Sequence, residues 1–218
     1  MYTPKAFEVT DLALLHAAMK QSELATLVTM TTQGLVATHL PLLLEETKGE
    51  YGTLTGHVSR ANLQWRETVP DAEALIIFLG LDTYVSPNWY PAKQETGRVV
   101  PTWNYAAIHA YGRLTFYEDP EWLRNMVTEL TKRHEASFPA PWKVTDAPAV
   151  YIDSQLKAIV GFEFNIVRLE GKQKFNQNRS LEDRLGVIEG LRALGEERKS
   201  EVAELMEEIE SRRETSKG

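Results

Sequence analysis

The 218 residues include no cysteine. Disulfides, thiolate catalysis, iron–sulfur clusters and zinc sites with cysteine ligands are therefore excluded. Long apolar runs are missing too: none approaches the roughly 18 residues expected of a membrane-spanning helix. The opening Met1-Tyr2-Thr3-Pro4-Lys5 lacks the basic-then-apolar order of a secretion signal, so the expectation is a cytoplasmic chain with no membrane partner. Neither GxGxxG nor GxxxxGK[ST] occurs, and Gly171-Lys172 has no glycine-rich loop before it, which leaves the nucleotide-binding superfolds without support. The serine-hydrolase signal GxSxG is absent as well. Positive charge is scarce, with 24 Lys and Arg against 31 Asp and Glu and a net charge of −7. Non-specific coating of nucleic acid needs clustered cations and is disfavoured by that balance.

The remainder, 43% hydrophobic and 25% charged, is that of an ordinary globular chain. Helical spacing of Leu12, Leu15, Ala18 and Met19 behind a capping Asp11 predicts a helix over 11–21. β-branched residues predict strands over 24–32 and 35–44 around a Gln33-Gly34 turn, and a third over 51–58. A short helix is expected over 60–67. The run Leu75-Ile76-Ile77-Phe78-Leu79 predicts a strand buried on both faces over 73–81. Residues 82–102, with Pro87, Pro91, Pro101 and Gly97, read as an irregular connection of a length usually tied to function. Long strands follow over 103–117 and 159–169. Between them lies a helix over 120–135, with Asp119 as its cap and Pro120 in its first turn. A further helix runs from Ser180 to Leu194 and ends at Gly195. Six or more strands joined by short turns, with no βαβ rhythm, define a mainly-β α+β chain built on an antiparallel sheet or barrel. The expected domains are 1–195 and a charged helical tail, 196–218, with eight Glu against five Lys and Arg. A solvated helix that frays at its end is the favoured reading of the tail.

Three clusters carry chemistry. Gly56-His57-Val58-Ser59-Arg60-Ala61-Asn62 joins a strand end to a helix start, offering backbone N–H groups, a hydroxyl and an Arg fork to a phosphate. An ordinary capped helix with a surface Arg explains it equally well. Tyr84 to Pro91 and Val99 to Tyr105 concentrate aromatics, amides and prolines, which suits stacking on a planar heterocycle and bonding its edge. Leu169 to Arg179 carries Lys172, Lys174 and Arg179 among the amides Gln173, Asn176, Gln177 and Asn178. This run completes an anion site or decorates a surface turn. His134-Glu135 opens like a zincin motif, but Phe138 stands where the second histidine is needed, and no metal site is expected. His39, His57 and His109 fall on predicted strands.

Taken together, His57-Val58-Ser59-Arg60-Ala61-Asn62, Tyr84-Val85-Ser86-Pro87-Asn88-Trp89-Tyr90, Pro101-Thr102-Trp103-Asn104-Tyr105, Leu169-Glu170-Gly171-Lys172 and Gln177-Asn178 resemble the PaiB family, in the same order and from Met1 to about Leu194. The resemblance implies an antiparallel split β-barrel of the FMN-binding, pyridoxamine-phosphate-oxidase-like type, with peripheral helices and a C-terminal helix, built as a homodimer with FMN between subunits. Family members are described as negative transcriptional regulators linked to sporulation and protease production. By position, the resemblance sets Thr38 and His39 beside the isoalloxazine. It gives the ribityl phosphate to the turn from His57 through Val58, Ser59 and Arg60 to Asn62. Trp103 and Asn104 close over the ring, and Lys172 and Gln177 lie near the groove.

Three functions follow from this reading. The first is a flavin-dependent regulator, whose direct DNA contact rests on Lys172, Lys174 and Arg179 taken twice in a dimer, against an unfavourable net charge. The second is an FMN reductase-like oxidoreductase served by a small-molecule or nicotinamide reductant. No acid–base pair stands out as catalytic. The third gives the groove to haem, with His39, His57 or His109 as axial ligand.

Overall fold

The computed structural model describes residues 1–215, with side chains to Arg213. Eight strands are seen: β1 (Glu8–Val9), β2 (Ala25–Thr31), β3 (Gly34–Leu40), β4 (Leu43–Glu45), β5 (Thr53–Ser59), β6 (Ala74–Val85), β7 (Thr102–Tyr117) and β8 (Ile159–Lys174). Seven α-helices accompany them: α1 (Leu12–Gln21), α2 (Gln64–Glu67), α3 (Ala92–Thr96), α4 (Pro120–Glu135), α5 (Ala149–Leu156), α6 (Leu181–Ala193) and α7 (Glu197–Thr215). The strands form one sheet in the order β3-β2-β6-β7-β8-β5-β4, with β1 added to β8. The registered pairs are antiparallel. The sheet does not close on itself, as in a split barrel. This is the α+β split-barrel class expected from the sequence.

The chain divides into two compact units. One comprises Asp11–Phe78 and Ile108–Glu170; the other comprises Met1–Thr10, Leu79–Ala107 and Gly171–Gly218. In the first unit, α1 and α4 start behind capping residues. The Asp11 carboxylate accepts from the N–H groups of Ala13 and Leu14 at 2.9 and 3.2 Å. Asp119 does the same for Trp122 at 2.8 Å, ahead of Pro120. Such caps satisfy N–H groups that a helix start leaves unpaired. The β2–β3 hairpin turns at Gly34, whose φ of 112° lies in the region that favours glycine. Strand β2 then alternates buried and half-buried residues, putting Ala25, Leu27, Thr29 and Thr31 on the inner face. Phe162 and Phe164 of β8 supply the largest buried rings, with Phe116 edge-on to Phe162. Leu123, Met126, Val144, Ile152 and Leu156 make a separate cluster under α4 and α5.

In the second unit α6 lies against α7. Val187, Ile188 and Leu191 meet Val202, Ala203, Met206 and Ile209 around Tyr90 and Phe175. Gly186 and Gly190 let α6 approach Trp89: a β-carbon on Gly190 would fall 2.4 Å from the indole ring.

Three details differ from expectation. The inner residues of β6 are buried, but Leu75 and Ile77 are half-buried and Leu79 is 71% exposed, so the strand is not covered on both faces. Residues 82–102 are more ordered than an irregular connection. β6 continues to Val85, a 3-10 turn spans Pro87–Trp89, and α3 follows. The tail helix forms, but it is not a solvated one: Val202, Ala203 and Met206 are at most 2% exposed. Its charges occupy one side while small and apolar residues pack on α6. Residues 216–218 of the expected tail lie outside the described residues.

Candidate functional site

The residues singled out in the sequence fall into two groups, one in each unit. In the first, pleating sends Thr38 and His39 to opposite faces of β3, because successive side chains of a strand alternate. Thr38 faces inward. Its hydroxyl donates to the Gln64 side-chain oxygen and accepts from Asn62 Nδ2 at 2.9 Å. Gln64 is 3% exposed and is tied further to Thr29 Oγ1 at 3.1 Å and to the Val36 carbonyl at 3.2 Å. Thr38, Asn62 and Gln64 thus form one polar network joining β3, β2 and the start of α2. Gln64 was not picked out in the sequence. Its signal was an amide two residues after Asn62 in a short stretch read as helix.

His39 faces outward, with Nδ1 2.9 Å from Thr26 Oγ1. It ends a row on β3 with Ala37 and Leu35, beside Thr26, Val28 and Met30 of β2 in register. Leu75 and Ile77 of β6 continue that face. Leu35 is 72% exposed and Met30 44%. Contiguous apolar sheet surface of this kind marks a binding or association face.

His57 sits on β5 opposite Gly161. Its Nδ1 is buried with no hydrogen-bond partner, and burial pushes its pKa below the ordinary histidine value. Val58 is buried at 4% exposure and belongs to the core. Ser59 caps the following turn rather than a helix: its Oγ accepts from Ala61 N at 3.3 Å, while α2 begins only at Gln64. Arg60 is engaged more fully than a free fork. Nε donates to the Lys157 carbonyl at 2.7 Å, one Nη to the Ile159 carbonyl at 3.1 Å, and the other Nη pairs with Glu118. Five guanidinium N–H groups exist, so two remain for another acceptor. The backbone N–H groups of Arg60 and Asn62 are likewise bonded, to the Ala158 and Ser59 carbonyls.

The second group contains Trp103, Asn104, Lys172 and Gln177. Trp103 is 50% exposed and stands edge-on to Tyr84, ring centres 6.1 Å apart. Asn104 is fully buried, with Nδ2 3.7 Å from the Met206 sulfur and Oδ1 unpartnered. Lys172 is 7% exposed and donates to Tyr105 OH at 2.5 Å and to the Tyr2 carbonyl at 3.1 Å. Gln177 closes its own turn, bonding Phe175 N and the Gln173 carbonyl, each at 2.7 Å. A cavity of about 100 Å³ lies instead beside Thr102, Lys174, Asn176, Asn178 and Arg179. Asn176 Oδ1 is buried without a partner. Burial, and secondarily Lys172, push the Lys174 ammonium below its usual pKa.

Within the first unit, the open apolar sheet face and the unpartnered His57 Nδ1 fit a flavin in their chemistry; within the second, the exposed Trp103 indole does so.

Among solved structures, the fold is similar to the FAD- and haem-binding protein from Mycobacterium smegmatis (TM-score 0.58, 15% identity, covering 82% of this chain and 78% of that one). It is similar also to the flavocytochrome Anf3 from Azotobacter vinelandii (TM-score 0.55, 16% identity, 82% and 75% covered). Residues 1–168 match the family model described as "Putative FMN-binding domain". Over 208 residues the chain is 33% identical to "Protease synthase and sporulation protein PAI 2" of Bacillus subtilis, covering 95% of this chain and 97% of that protein. An uncharacterized protein of Aspergillus fumigatus is 33% identical over 243 residues, with 90% and 93% covered. The chain belongs to the PaiB family of FMN-binding domains, and the cofactor expected from its sequence, FMN, is that family's. Among the described residues no helix is long and apolar enough to cross a membrane.

Proposed function

We propose that the chain binds FMN as a homodimer and acts as a flavin-dependent negative regulator, of the kind to which the Bacillus relative's name ties protease synthesis and sporulation. The observation that carries this reading is the outward face of β3, β2 and β6. Leu35, Ala37, Met30, Val28, Leu75 and Ile77 form an uncovered apolar surface, with His39 at its end. A second copy covers that surface and brings a Trp103 to a flavin lying against it. The flat ring gains stacking and apolar contact there. Thr38, His57 and Asn62 hold the adjacent frame, Ser59 and the two unengaged Arg60 N–H groups face the ribityl phosphate, and Asn104, Lys172 and Gln177 support the covering segment. Bound FMN supplies redox chemistry; the protein's part is to hold and cover it.

The direct test is the absorbance spectrum of the purified protein after addition of FMN and removal of the excess, with molecular mass measured by light scattering. A flavin spectrum on a particle of two chains is expected. A haem band, or no retained flavin, would defeat the cofactor reading, and a monomer would defeat the dimer. For regulation, DNA binding stronger than that of an equally acidic control protein, and falling with salt, is expected.

A further inference from the structure

We propose that the groove between α4 and α5 is a binding site for a small aromatic carboxylate, separate from the flavin site. The groove has a volume of about 440 Å³, within the range of small-molecule pockets. Its floor is the apolar cluster beneath the two helices: Val144 and Ile152 reach it from the core and are only 9% and 8% exposed. Its wall is one stripe of α4. Arg124, Thr128 and Lys132 recur at successive fourth positions and so share a face. Trp142 stands at the edge, 44% exposed. Its segment is pinned by the backbone N–H of Trp142 donating to Glu135 Oε2 at 2.8 Å.

The lining carries three cations, Arg124, Lys132 and Lys143, and no carboxylate. Arg124 pairs with Asp153, and Lys132 with Glu129 at 2.5 Å. Lys143 has no ion-pair partner among the described residues. The hydroxyls of Thr131 and Thr145 make no hydrogen bond among those residues either, whereas Thr128 donates to the Arg124 carbonyl at 2.7 Å. Helix α5 begins at the same edge without a side-chain cap, so its positive end adds to the field. An apolar floor and an indole select a flat hydrocarbon body. An unpaired ammonium with two unused hydroxyls selects a carboxylate at its end. A bare inorganic anion would leave the floor uncovered, and a neutral arene would leave Lys143 unanswered.

The test is calorimetric titration of the full-length protein, saturated with FMN, using 1-naphthoate and its neutral counterpart 1-naphthalenemethanol. One naphthoate per chain is expected, with the alcohol bound about tenfold more weakly. Lys143→Ala, a change at an exposed position, lowers naphthoate affinity about tenfold and brings acid and alcohol together. Absence of binding heat would overturn the proposal, as would equal affinity of Lys143→Ala and the unaltered protein. Competition with FMN would place the ligand in the flavin site instead. If the protein retains no flavin, the same titration is run without it, so failure of the cofactor reading leaves this result interpretable.

Discussion

Arg60 reaches across the fold to Lys157, donating from Nε to its backbone carbonyl at 2.7 Å, and fastens the end of β5 to the residues that open β8. By sequence the same side chain offers a fork to a phosphate. Its geometry gives it a holding role, with two N–H groups left for an acceptor.

Arg60→Ala is expected to reduce unfolding stability by roughly 2 kcal/mol, since bonds from a charged donor are lost and two carbonyls are stranded. Denaturant unfolding measures this. If the remaining N–H groups serve the phosphate, the variant also loses about tenfold in FMN affinity while riboflavin affinity holds. An unchanged ratio of the two affinities would move the phosphate away from Arg60, with the cavity beside Lys174 and Arg179 as the next place to look.

Gly190→Ala should destabilise the protein by about 1–3 kcal/mol, although alanine is the better helix former by about 1 kcal/mol. A methyl group 2.4 Å from the Trp89 ring forces a shift. The control is an alanine at Gly195: its φ of 67° makes it strained, but nothing lies near its β-carbon. Thermal unfolding should show the larger loss at 190.

Ending the chain after Leu194 removes the partners of Val187, Ile188 and Leu191. The shortened protein is expected to bind the dye ANS and lose amide protection in α6, because several buried apolar side chains become exposed. A solvated tail would leave both measurements unaltered.

Stability should fall in mild acid. Burial lowers the folded-state pKa of His57, and that of His109 in the same way. The unfolded chain therefore binds protons that the folded chain refuses, and stability declines as pH drops below about 6.5, the ordinary histidine value. Above that value both states are neutral and the effect vanishes. His57→Asn should flatten the decline measured by denaturant midpoints between pH 7.5 and pH 5.5. An unaltered slope would assign the acid sensitivity to His109 or to other groups.

The capped helices were legible because their signals are local: Asp11, Asp119-Pro120 and Ser180 lie within three residues of the N–H groups they accept from. The alternation of β8, which buries Val160, Phe162, Phe164 and Ile166, is local in the same way. Arg60 was not legible, because its carbonyl partners lie nearly a hundred residues further along the chain. The fate of the tail was hidden in its composition. Val202, Leu205 and Ile209 recur at helical spacing among its many charges, and Ala203 and Met206 widen that line into a buried face. At the candidate site, Thr38 and Asn62, both offered by the sequence, are joined by a hydrogen bond of 2.9 Å. Sequence order could not reveal that His39 points the other way, or that Gln64 joins the network, since both depend on register and turn length. The turn that the Gln177 amide closes likewise depends on the local backbone path and is not legible in the sequence.

Neither compact unit is a continuous stretch of chain. One is made of two segments and complete at Glu170; the other is made of three and needs residues beyond Gly171. During synthesis the first can mature while the second still waits for α6 and α7, with Tyr90 and Phe175 lacking their cover. The core of the second unit therefore cannot close until α6 and α7 have been made. Domain-splitting by genetic truncation would leave at least one unit with a gap in its middle.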